Sequence, residues 1–341
     1  MYRRPAHFLI VIVLSLTVAA TAFAQSYTIT DLGSLGGTVT EAQGINRLGQ
    51  VTGFSTLNNS TNGHAFLYSS GQMTDLGSLS QNDSLGLAIN ASGQVVGYSE
   101  LSDGTYRGFL YSGGKMTALP TLGGNFGAAY GINKSGQIVG SSVTPSGIFA
   151  GFIYSNGTIT DLGNLGDPSD GTQAYSINSS GQVVGYSYDT TFNFKAFLWQ
   201  SGSMTSLGTL GGDWSQAFAI NDAGQITGSA YLPGNTGAHV FLYANGNMTD
   251  IDSQHSEYSD GDAINSAGVV VGEMTVKSNN GSLNYHAFIY RAGKMKDLNK
   301  LIPQNSGWVL KQATGINDSG QIVGWGMLHK QIHAFLLSPS K

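Results

Sequence analysis

The chain of 341 residues contains no cysteine. Disulfides, thiolate metal sites and cysteine nucleophiles are therefore excluded, and the fold must be held by packing and hydrogen bonds alone. Charge is also scarce, because only 10% of the residues are Asp, Glu, Lys or Arg and the formal net charge is −5. An average globular domain has roughly 25% charged residues. With no basic stripe in the sequence, the composition argues against a nucleic-acid partner.

The only long apolar run lies at the N-terminus. Arg3 and Arg4 precede it, and a small-x-small cleavage sequence, Ala-Phe-Ala, follows it at 22–24. This order is typical of an export signal and the run is too short for a membrane span with polar flanks. We predict that residues 1–24 are a signal peptide. The mature protein is then secreted, into the periplasm or the extracellular medium, and has no membrane span after signal removal.

Glycine, in contrast, is abundant, with 49 residues, about twice the usual share. The glycines recur at fixed places within an internal repeat of about 45 residues, so they are turn residues rather than a disordered tract. One marker of the repeat is an Ile-Asn pair, at Ile45-Asn46, Ile89-Asn90, Ile132-Asn133, Ile177-Asn178, Ile220-Asn221, Ile264-Asn265 and Ile316-Asn317. A second marker is the Phe of a His-Ala-Phe-Leu-Tyr type of segment, at Phe66, Phe109, Phe152, Phe197, Phe241, Phe288 and Phe335.

Each repeat predicts a meander of four antiparallel strands. In the second repeat, the segment from Gln94 to Ser99 is rich in β-branched and aromatic residues, and Ser112-Gly113-Gly114 is a hairpin turn. Successive apolar residues indicate sheets that are covered on both faces. A unit of this size cannot bury enough surface alone, so the units must stack on one another.

The two ends of the chain are offset by one strand. A segment of the type that closes each repeat, Tyr27 to Gly33, precedes the first Ile-Asn pair, whereas the chain stops after Phe335 without such a segment. We therefore predict an all-β, seven-bladed β-propeller of four-stranded antiparallel blades. Its last blade takes strands from Ile316 onward and is closed by the N-terminal strand. This single domain covers residues 25–341 and is a monomer; the alternative is a linear β-array.

The chain also resembles a known family. The His-Ala-Phe tripeptides that end at Phe66, Phe288 and Phe335, together with the Gly-Ile-Asn-x-x-Gly-Gln-Val/Ile segments, closely resemble the HAF family of bacterial extracellular repeats, over essentially the whole mature chain. The resemblance implies seven HAF-type repeats in an exported protein and no common activity. The first residues of the tripeptide are replaced at Arg107-Gly108, Ala150-Gly151, Lys195-Ala196 and His239-Val240. We infer that the Phe is needed for packing and the His much less.

Most repeated polar residues have a structural interpretation. We interpret each Asn of the Ile-Asn pairs as a turn residue whose side chain bonds the amide two residues on, with a functional ring at the channel as the alternative. Repeated His and Asp residues lie on different blades and are held apart, so we predict neither a shared metal site nor a carboxylate pair across blades. These residues are His64, His239, His286 and His333, and Asp31, Asp75, Asp161, Asp250 and Asp297.

One acidic cluster is not repeated. Asp260 and Asp262 lie close in sequence to Asp252, Glu257 and Asn265, but their spacing fits no calcium loop. The common hydrolase signatures are absent as well. We therefore predict no catalytic residues, no metal and no cofactor.

The candidate binding residues lie in irregular loops. In a propeller, the loops from the second to the third strand of a blade, and from the outer strand to the next blade, share one face, called the irregular-loop face below. Exposed aromatic residues with short polar neighbours suit sugar rings or a protein partner. The candidates are Trp214, Phe126, Asp213, Asn125, Tyr258 and Trp308. The alternative is that several of them, Trp308 above all, plug the channel or pack between blades.

The leading hypothesis is a secreted, non-enzymatic binding or scaffold propeller that engages an extracellular polysaccharide or protein through the irregular-loop face. The alternative is a carbohydrate-active enzyme, a polysaccharide lyase or glycosidase, with a site at the central pocket. A third possibility is a purely structural surface protein. Carboxylates, His or Tyr converging on the channel mouth favour the enzyme, whereas a row of exposed aromatic residues favours glycan binding.

Overall fold

A computed structural model describes residues 26–166, 171–278 and 280–340 of the chain. The predicted signal peptide, 1–24, lies outside these residues. Within them the fold is all-β, as predicted, with 28 strands and two short 3₁₀ helices, Pro233–Asn235 and Leu298–Lys300. Across the described ranges, no helix has both the length and the apolar character needed to cross a membrane.

The strands follow the repeat. The first five are β1 (Tyr27–Asp31), β2 (Gly36–Ile45), β3 (Val51–Leu57), β4 (Gly63–Ser69) and β5 (Gln72–Asp75). Next come β6 (Ser84–Ile89), β7 (Val95–Glu100), β8 (Tyr106–Ser112), β9 (Lys115–Ala118), β10 (Gly127–Ile132), β11 (Ile138–Val143), β12 (Phe149–Ser155) and β13 (Thr158–Asp161). They are followed by β14 (Thr172–Ile177), β15 (Val183–Tyr188), β16 (Phe194–Gln200), β17 (Ser203–Ser206), β18 (Ser215–Ile220), β19 (Ile226–Tyr231), β20 (Ala238–Ala244) and β21 (Asn247–Asp250). The last seven are β22 (Ser259–Ile264), β23 (Val270–Lys277), β24 (Leu283–Arg291), β25 (Lys294–Asp297), β26 (Trp308–Ile316), β27 (Ile322–Leu328) and β28 (Gln331–Pro339).

The strands pair as antiparallel meanders. Five sheets contain four strands each, β6 to β9, β10 to β13, β14 to β17, β18 to β21 and β22 to β25. A larger sheet has the order β26-β27-β28-β2-β3-β4-β5, and β1 pairs with β28. Within it, β28 and β2 are joined by one parallel bridge between Val39 and Ile332. The N-terminal strand thus pairs with the last strand, with Tyr27 opposite Pro339. The sequence-based boundary of the last unit is wrong, because its first strand, β26, ends rather than begins at Ile316.

The repeated Phe residues form the core between neighbouring sheets. Phe197 and Phe241 are both fully buried. Phe241 packs in one cluster with Val184 and Ala196 of the preceding sheet and Ala217 of its own. The apolar residues on both faces of each sheet therefore lie out of water, and the predicted packing role of the Phe is confirmed.

The repeated Asn residues form the turn after the first strand of each unit. Asn90 Oδ1 accepts hydrogen bonds from the amides of Ser92 and Gln94 at 3.0 and 3.1 Å. Its Nδ2 donates to Gln94 Oε1 at 2.7 Å and to the carbonyl oxygen of Asn133, in the next sheet, at 3.2 Å. The predicted turn role is confirmed, and the same side chain also links neighbouring sheets.

The link between sheets recurs along the whole chain. Each Asn Nδ2 donates to the carbonyl oxygen of the next Asn, from Asn46 to Asn90, Asn133, Asn178, Asn221, Asn265 and Asn317. Asn317 Nδ2 then donates to the carbonyl oxygen of Asn46 at 3.1 Å. The series of hydrogen bonds thus returns to its first member.

Candidate binding site at the channel

The Ile-Asn pairs of all the sheets surround a common channel. Their seven Ile side chains border two cavities, one of about 320 Å³ beside the Asn turns and one of about 230 Å³ on the side of the irregular loops. These seven Ile side chains, called the Ile collar below, lie between the two cavities. The strands that carry the pairs, β2, β6, β10, β14, β18, β22 and β26, are called inner strands below.

The polar groups of the Asn-lined cavity are used within the fold. Each Asn amide bonds its own turn and the next sheet, as Asn178 does with Gln182 and Asn221. At the rim, Asp222 accepts bonds from both the amide and the hydroxyl of Ser179 at 2.8 Å. This cavity therefore favours the structural interpretation of the Asn ring over a functional one.

The second cavity is lined by residues that the repeat does not specify. Every inner strand has a β-bulge two residues before its Ile, where the register with the second strand shifts. Bulges re-aim side chains and are frequent beside functional sites. Seven bulge residues face the cavity: Gln43, Leu87, Tyr130, Tyr175, Phe218, Asp262 and Thr314. We call this space the bulge cavity.

A glycine on the second strand leaves room for each bulge. The second strand carries Gly opposite it, and a Cβ on Gly185 would lie 1.9 Å from the carbonyl oxygen of Gln173. The same contact would be 1.9 Å between Gly228 and Gln216. A side chain at these positions would overlap the inner strand, so glycine permits the close approach that the bulge requires.

One side of the bulge cavity is aromatic. The rings of Tyr130 and Tyr175 have centroids 5.4 Å apart, and those of Tyr175 and Phe218 are 5.7 Å apart. The Tyr175 hydroxyl donates to Gln173 Oε1 at 3.0 Å, which fixes the ring. Burial, followed by the charge of Tyr186, raises the pKa of Tyr175 above its ordinary value, so its hydroxyl remains a neutral donor. Three adjacent inner strands therefore supply a rigid aromatic wall.

The next inner strand adds a carboxylate. Trp325 Nε1 donates to Gln312 Oε1 at 2.9 Å, and Gln312 Nε2 donates to Asp262 Oδ2 at 2.9 Å. Asp260 and Glu273 lie opposite one another on β22 and β23. Burial and then the charge of Asp260 raise the pKa of Asp262 well above its ordinary value. Burial and the charge of Asp260 also raise the pKa of Glu273 to about 7.

The acidic cluster expected from sequence is composed differently. Asp252 instead accepts a bond from the Ser259 hydroxyl at 2.8 Å, and Asn265 belongs to the Asn turns. Asp260 and Asp262 share a face because they lie two residues apart on β22. Asp252 and Asn265 lie outside that strand, so closeness in sequence does not bring their side chains into the cluster. Among the described ranges, no group of three or more His, Asp or Glu residues is arranged to hold a metal ion.

Three predicted binding residues occupy equivalent positions. The backbone carbonyls of Phe126, Trp214 and Tyr258 accept bonds from the second strand of their sheets, at 3.0, 2.9 and 2.8 Å. Phe126 contacts Phe149 with ring centroids 5.3 Å apart, and Trp214 contacts Phe194 at 3.9 Å. The three residues stand on three different sheets, so they line the face and do not form one cluster.

The other predicted residues differ in environment. Asn125 is exposed, and Asp213 is exposed with its carboxylate bonded to Asn235 Nδ2 at 2.8 Å. Trp308 packs against the core around β26, with its ring centroid 6.1 Å from that of Phe335. This position agrees with the alternative that Trp308 packs between sheets.

Exposed apolar side chains are concentrated on the irregular-loop face. Those at the loop ends of the strands are Phe149, Phe192, Tyr258, Leu283, Tyr285 and Val309. Leu48, in an Asn turn on the opposite side, is the other exposed large apolar residue in the described ranges. Their concentration at one end of the sheets makes this face the candidate binding surface.

The repeated His residues have partners that sequence reasoning missed. His64 Nδ1 lies 2.9 Å from Asp75, and His286 Nδ1 lies 2.8 Å from Asp297. The pair His333–Asp31 joins β28 to β1 at 2.9 Å. A fourth pair, His239–Asp250, has the same geometry at 2.8 Å. A signal was present in the three pairs other than His333–Asp31, because their His and Asp are spaced eleven residues apart and lie on adjacent strands.

Comparison with known proteins identifies the fold. The chain is similar over 92% of its length to 97% of the β-propeller domain of the Trilobed protease from Pyrococcus furiosus, a propeller with an open velcro topology, at 7% identity and a TM-score of 0.58. It also aligns over 91% of its length with 53% of Pyrococcus horikoshii acylaminoacyl peptidase, at 9% identity and a TM-score of 0.55. For a Mycobacterium tuberculosis puromycin-hydrolyzing peptidase, the coverage is 81% of this chain and 47% of that one, at 11% identity and a TM-score of 0.52. The chain thus spans about half the length of these two peptidases.

The fold is therefore that of a β-propeller, as predicted from the repeats. Residues 211–334 match a family described as a protein of unknown function (DUF3466). No curated protein has a significant match to the chain. At these identities the structural likeness concerns the fold alone, and the function has to be argued from the site.

Proposed function

We propose that the chain is a secreted, closed propeller of seven four-stranded blades that binds an extracellular polysaccharide through its irregular-loop face. The seventh blade consists of β26, β27, β28 and β1, since β1 is paired with β28 over five residue pairs from Tyr27 to Asp31. Closure is supported by the bond from Asn317 to Asn46, which joins the last inner strand to the first. The export-type N-terminus at 1–24 supports secretion; fractionation of producing cells, with detection of the mature chain, tests it.

One observation carries the binding proposal: the exposed large apolar side chains, except Leu48, lie at the irregular-loop ends of the strands. Phe192, for example, is 65% exposed between β15 and β16. Aromatic side chains exposed in this way offer flat apolar faces that stack on sugar rings, while nearby amides and hydroxyls bond the sugar hydroxyls.

The test is retention of the mature protein in gels that contain a panel of polysaccharides. Trp214→Ala and Phe126→Ala should each weaken binding by roughly 1 to 3 kcal/mol, as contact aromatics do, with a smaller loss of stability because both rings are half-buried. Leu48→Ala is the matched control, because Leu48 is 67% exposed on the opposite side. If the two aromatic variants lose several kcal/mol of stability and bind normally, they are packing residues and the proposed surface is wrong.

The acids of β22 and β23, of which Asp262 lines the bulge cavity, favour a second candidate, a carbohydrate-active enzyme. Glu273, with a pKa raised to about 7 by burial and by Asp260, would be about half protonated at neutral pH and could act as a general acid. The test is release of reducing or unsaturated ends from the retained polysaccharide. Product formation that Glu273→Gln abolishes, with retention unchanged, would establish the enzyme; retention without product supports the binding protein.

A further inference from the structure

We infer that the bulge cavity takes an ammonium group, so that the polysaccharide recognised by this propeller carries free amino groups on its sugars. The inference rests on the proposed function, because such a group would reach the cavity from the irregular-loop face. It adds to that function a ligand class, a cationic amino-sugar polymer, and a site, the space between the aromatic wall and Asp262.

The shape of the cavity suits the end of a ligand rather than a chain passing through it. It has a volume of about 230 Å³ and ends at the Ile collar, beyond which lie the internally bonded Asn turns. A polymer lying on the irregular-loop face can therefore insert a substituent or a terminal sugar, but not its backbone. What can enter is decided by the side chains of the inner strands.

The aromatic wall is one half of a cation site. Tyr130, Tyr175 and Phe218 stand on consecutive inner strands, with centroids 5.4 and 5.7 Å apart. Ring faces attract an ammonium group within about 6 Å of the centroid, and the attraction grows when water is excluded. The hydrogen bond from the Tyr175 hydroxyl to Gln173 fixes the central ring before any ligand arrives.

The carboxylate side is the other half. Asp262 is held in place by Gln312, which is itself held by Trp325. Asp260 and Glu273 are the acidic groups whose charges add to the rise in the pKa of Asp262. These carboxyls repel one another when they are ionised, and a bound ammonium group would favour their ionised forms and offset that repulsion. A neutral sugar would leave that repulsion in place.

The carboxyl groups of the site make the predicted affinity for an ammonium group depend on pH. The pKa of Asp262 is raised by burial and by Asp260 and Glu273, so at low pH these carboxyls are protonated and attract a cation less. An ammonium group favours their ionised forms, so binding lowers their pKa and releases protons. Affinity should rise from pH 5 to pH 7, a window that ends near the pKa of about 7 of Glu273.

The experiment compares two ligands that differ in one group. Calorimetric titration of the mature protein with a glucosamine trimer and with its N-acetylated counterpart, at pH 5 and pH 7, isolates the ammonium group. We expect the amino trimer to bind on the order of tenfold more tightly at pH 7, about 1.4 kcal/mol, and to lose that advantage at pH 5. The N-acetylated trimer should show no such pH dependence. Tryptophan fluorescence, to which Trp325 beside Gln312 contributes, offers a second readout.

Three variants test whether the ammonium group binds in the bulge cavity. Asp262→Asn keeps the bond to Gln312 and should abolish the preference for the amino trimer, and Phe218→Leu should weaken it while keeping apolar volume. Asp222→Asn, on the rim of the opposite cavity, is the matched control and should change nothing. Unchanged preference in Asp262→Asn, or equal affinity for the two trimers, overturns the inference.

Failure of the inference can be told from failure of the proposed function. If both trimers bind equally and Trp214→Ala weakens both, the polysaccharide site stands and the ammonium site is wrong. If neither trimer nor any polysaccharide is retained, both proposals fall. A preference for the amino trimer that Asp262→Asn removes supports both.

Discussion

Closure of the propeller can be tested at a single side chain, Asn317. Its Nδ2 donates to the carbonyl oxygen of Asn46 at 3.1 Å and to Gln321 Oε1 at 2.9 Å. Its Oδ1 accepts from the amides of Ser319 and Gln321 at 3.1 and 3.0 Å. A net contribution of about 0.5 to 1.5 kcal/mol per hydrogen bond gives a loss of roughly 2 to 4 kcal/mol for Asn317→Ala, allowing for amides that turn to water. About 1 kcal/mol of it belongs to the bond with Asn46.

Asn178 is the matched control, because it makes the same four bonds within the chain of consecutive sheets, including one to the carbonyl oxygen of Asn221 at 3.2 Å. If the first and last blades meet, Asn317→Ala and Asn178→Ala should lower the free energy of unfolding equally, measured from urea midpoints at constant m. A clearly smaller loss at Asn317 would show that its bond to Asn46 does not form, and the ring would be open.

Two further outcomes are expected. Deletion of residues 27–33 removes β1, exposes the edge of β28 and uncovers buried Phe335. The shortened protein should therefore melt at a lower temperature and self-associate. A shortened protein that stays monomeric and melts at the unchanged temperature would refute the closing role of β1. Replacing His64, His286 and His333 together by Ala should leave metal content and ligand binding unchanged, because each Nδ1 bonds a different Asp. Elemental analysis and the retention assay check this. Loss of a stoichiometric metal would show a site that the geometry does not explain.

The fold was accessible from sequence because the repeat marks the positions that packing dictates. Phe197 is fully buried between sheets, and Asn178 satisfies four polar groups of its turn and the next sheet. Neither role tolerates many other side chains, so both residues recur at a fixed period. The pairing of β1 with β28 followed from the same logic, because a unit lacking its last strand at one end matched a spare strand at the other.

The candidate site could not be predicted from the repeat in the same way. Its side chains stand at bulges, and a bulge shifts which residue of the strand faces the channel. Sequence reasoning started from the aromatic residues of the irregular loops and therefore placed function beyond the ends of the strands. The indirect signal was the glycine of the second strand, such as Gly185, whose missing Cβ leaves room for the carbonyl of Gln173. That glycine was interpreted as a turn or strand residue, and its implication for the opposite strand went unnoticed.

The energetics of the bulge residues also separate function from folding. Tyr175 could be explained by packing, but Asp262 and Glu273 could not, because burial raises the pKa of both carboxyls. For Glu273 the pKa rises from 4.5 to about 7; the folded state then binds more protons than the unfolded chain across that window, so stability falls as pH rises from about 4.5 to 7. An amide or apolar residue in these positions would avoid this destabilisation without disturbing the repeat. The acids therefore weaken the fold at neutral pH, and a ligand that supplies the missing positive charge would reverse the effect.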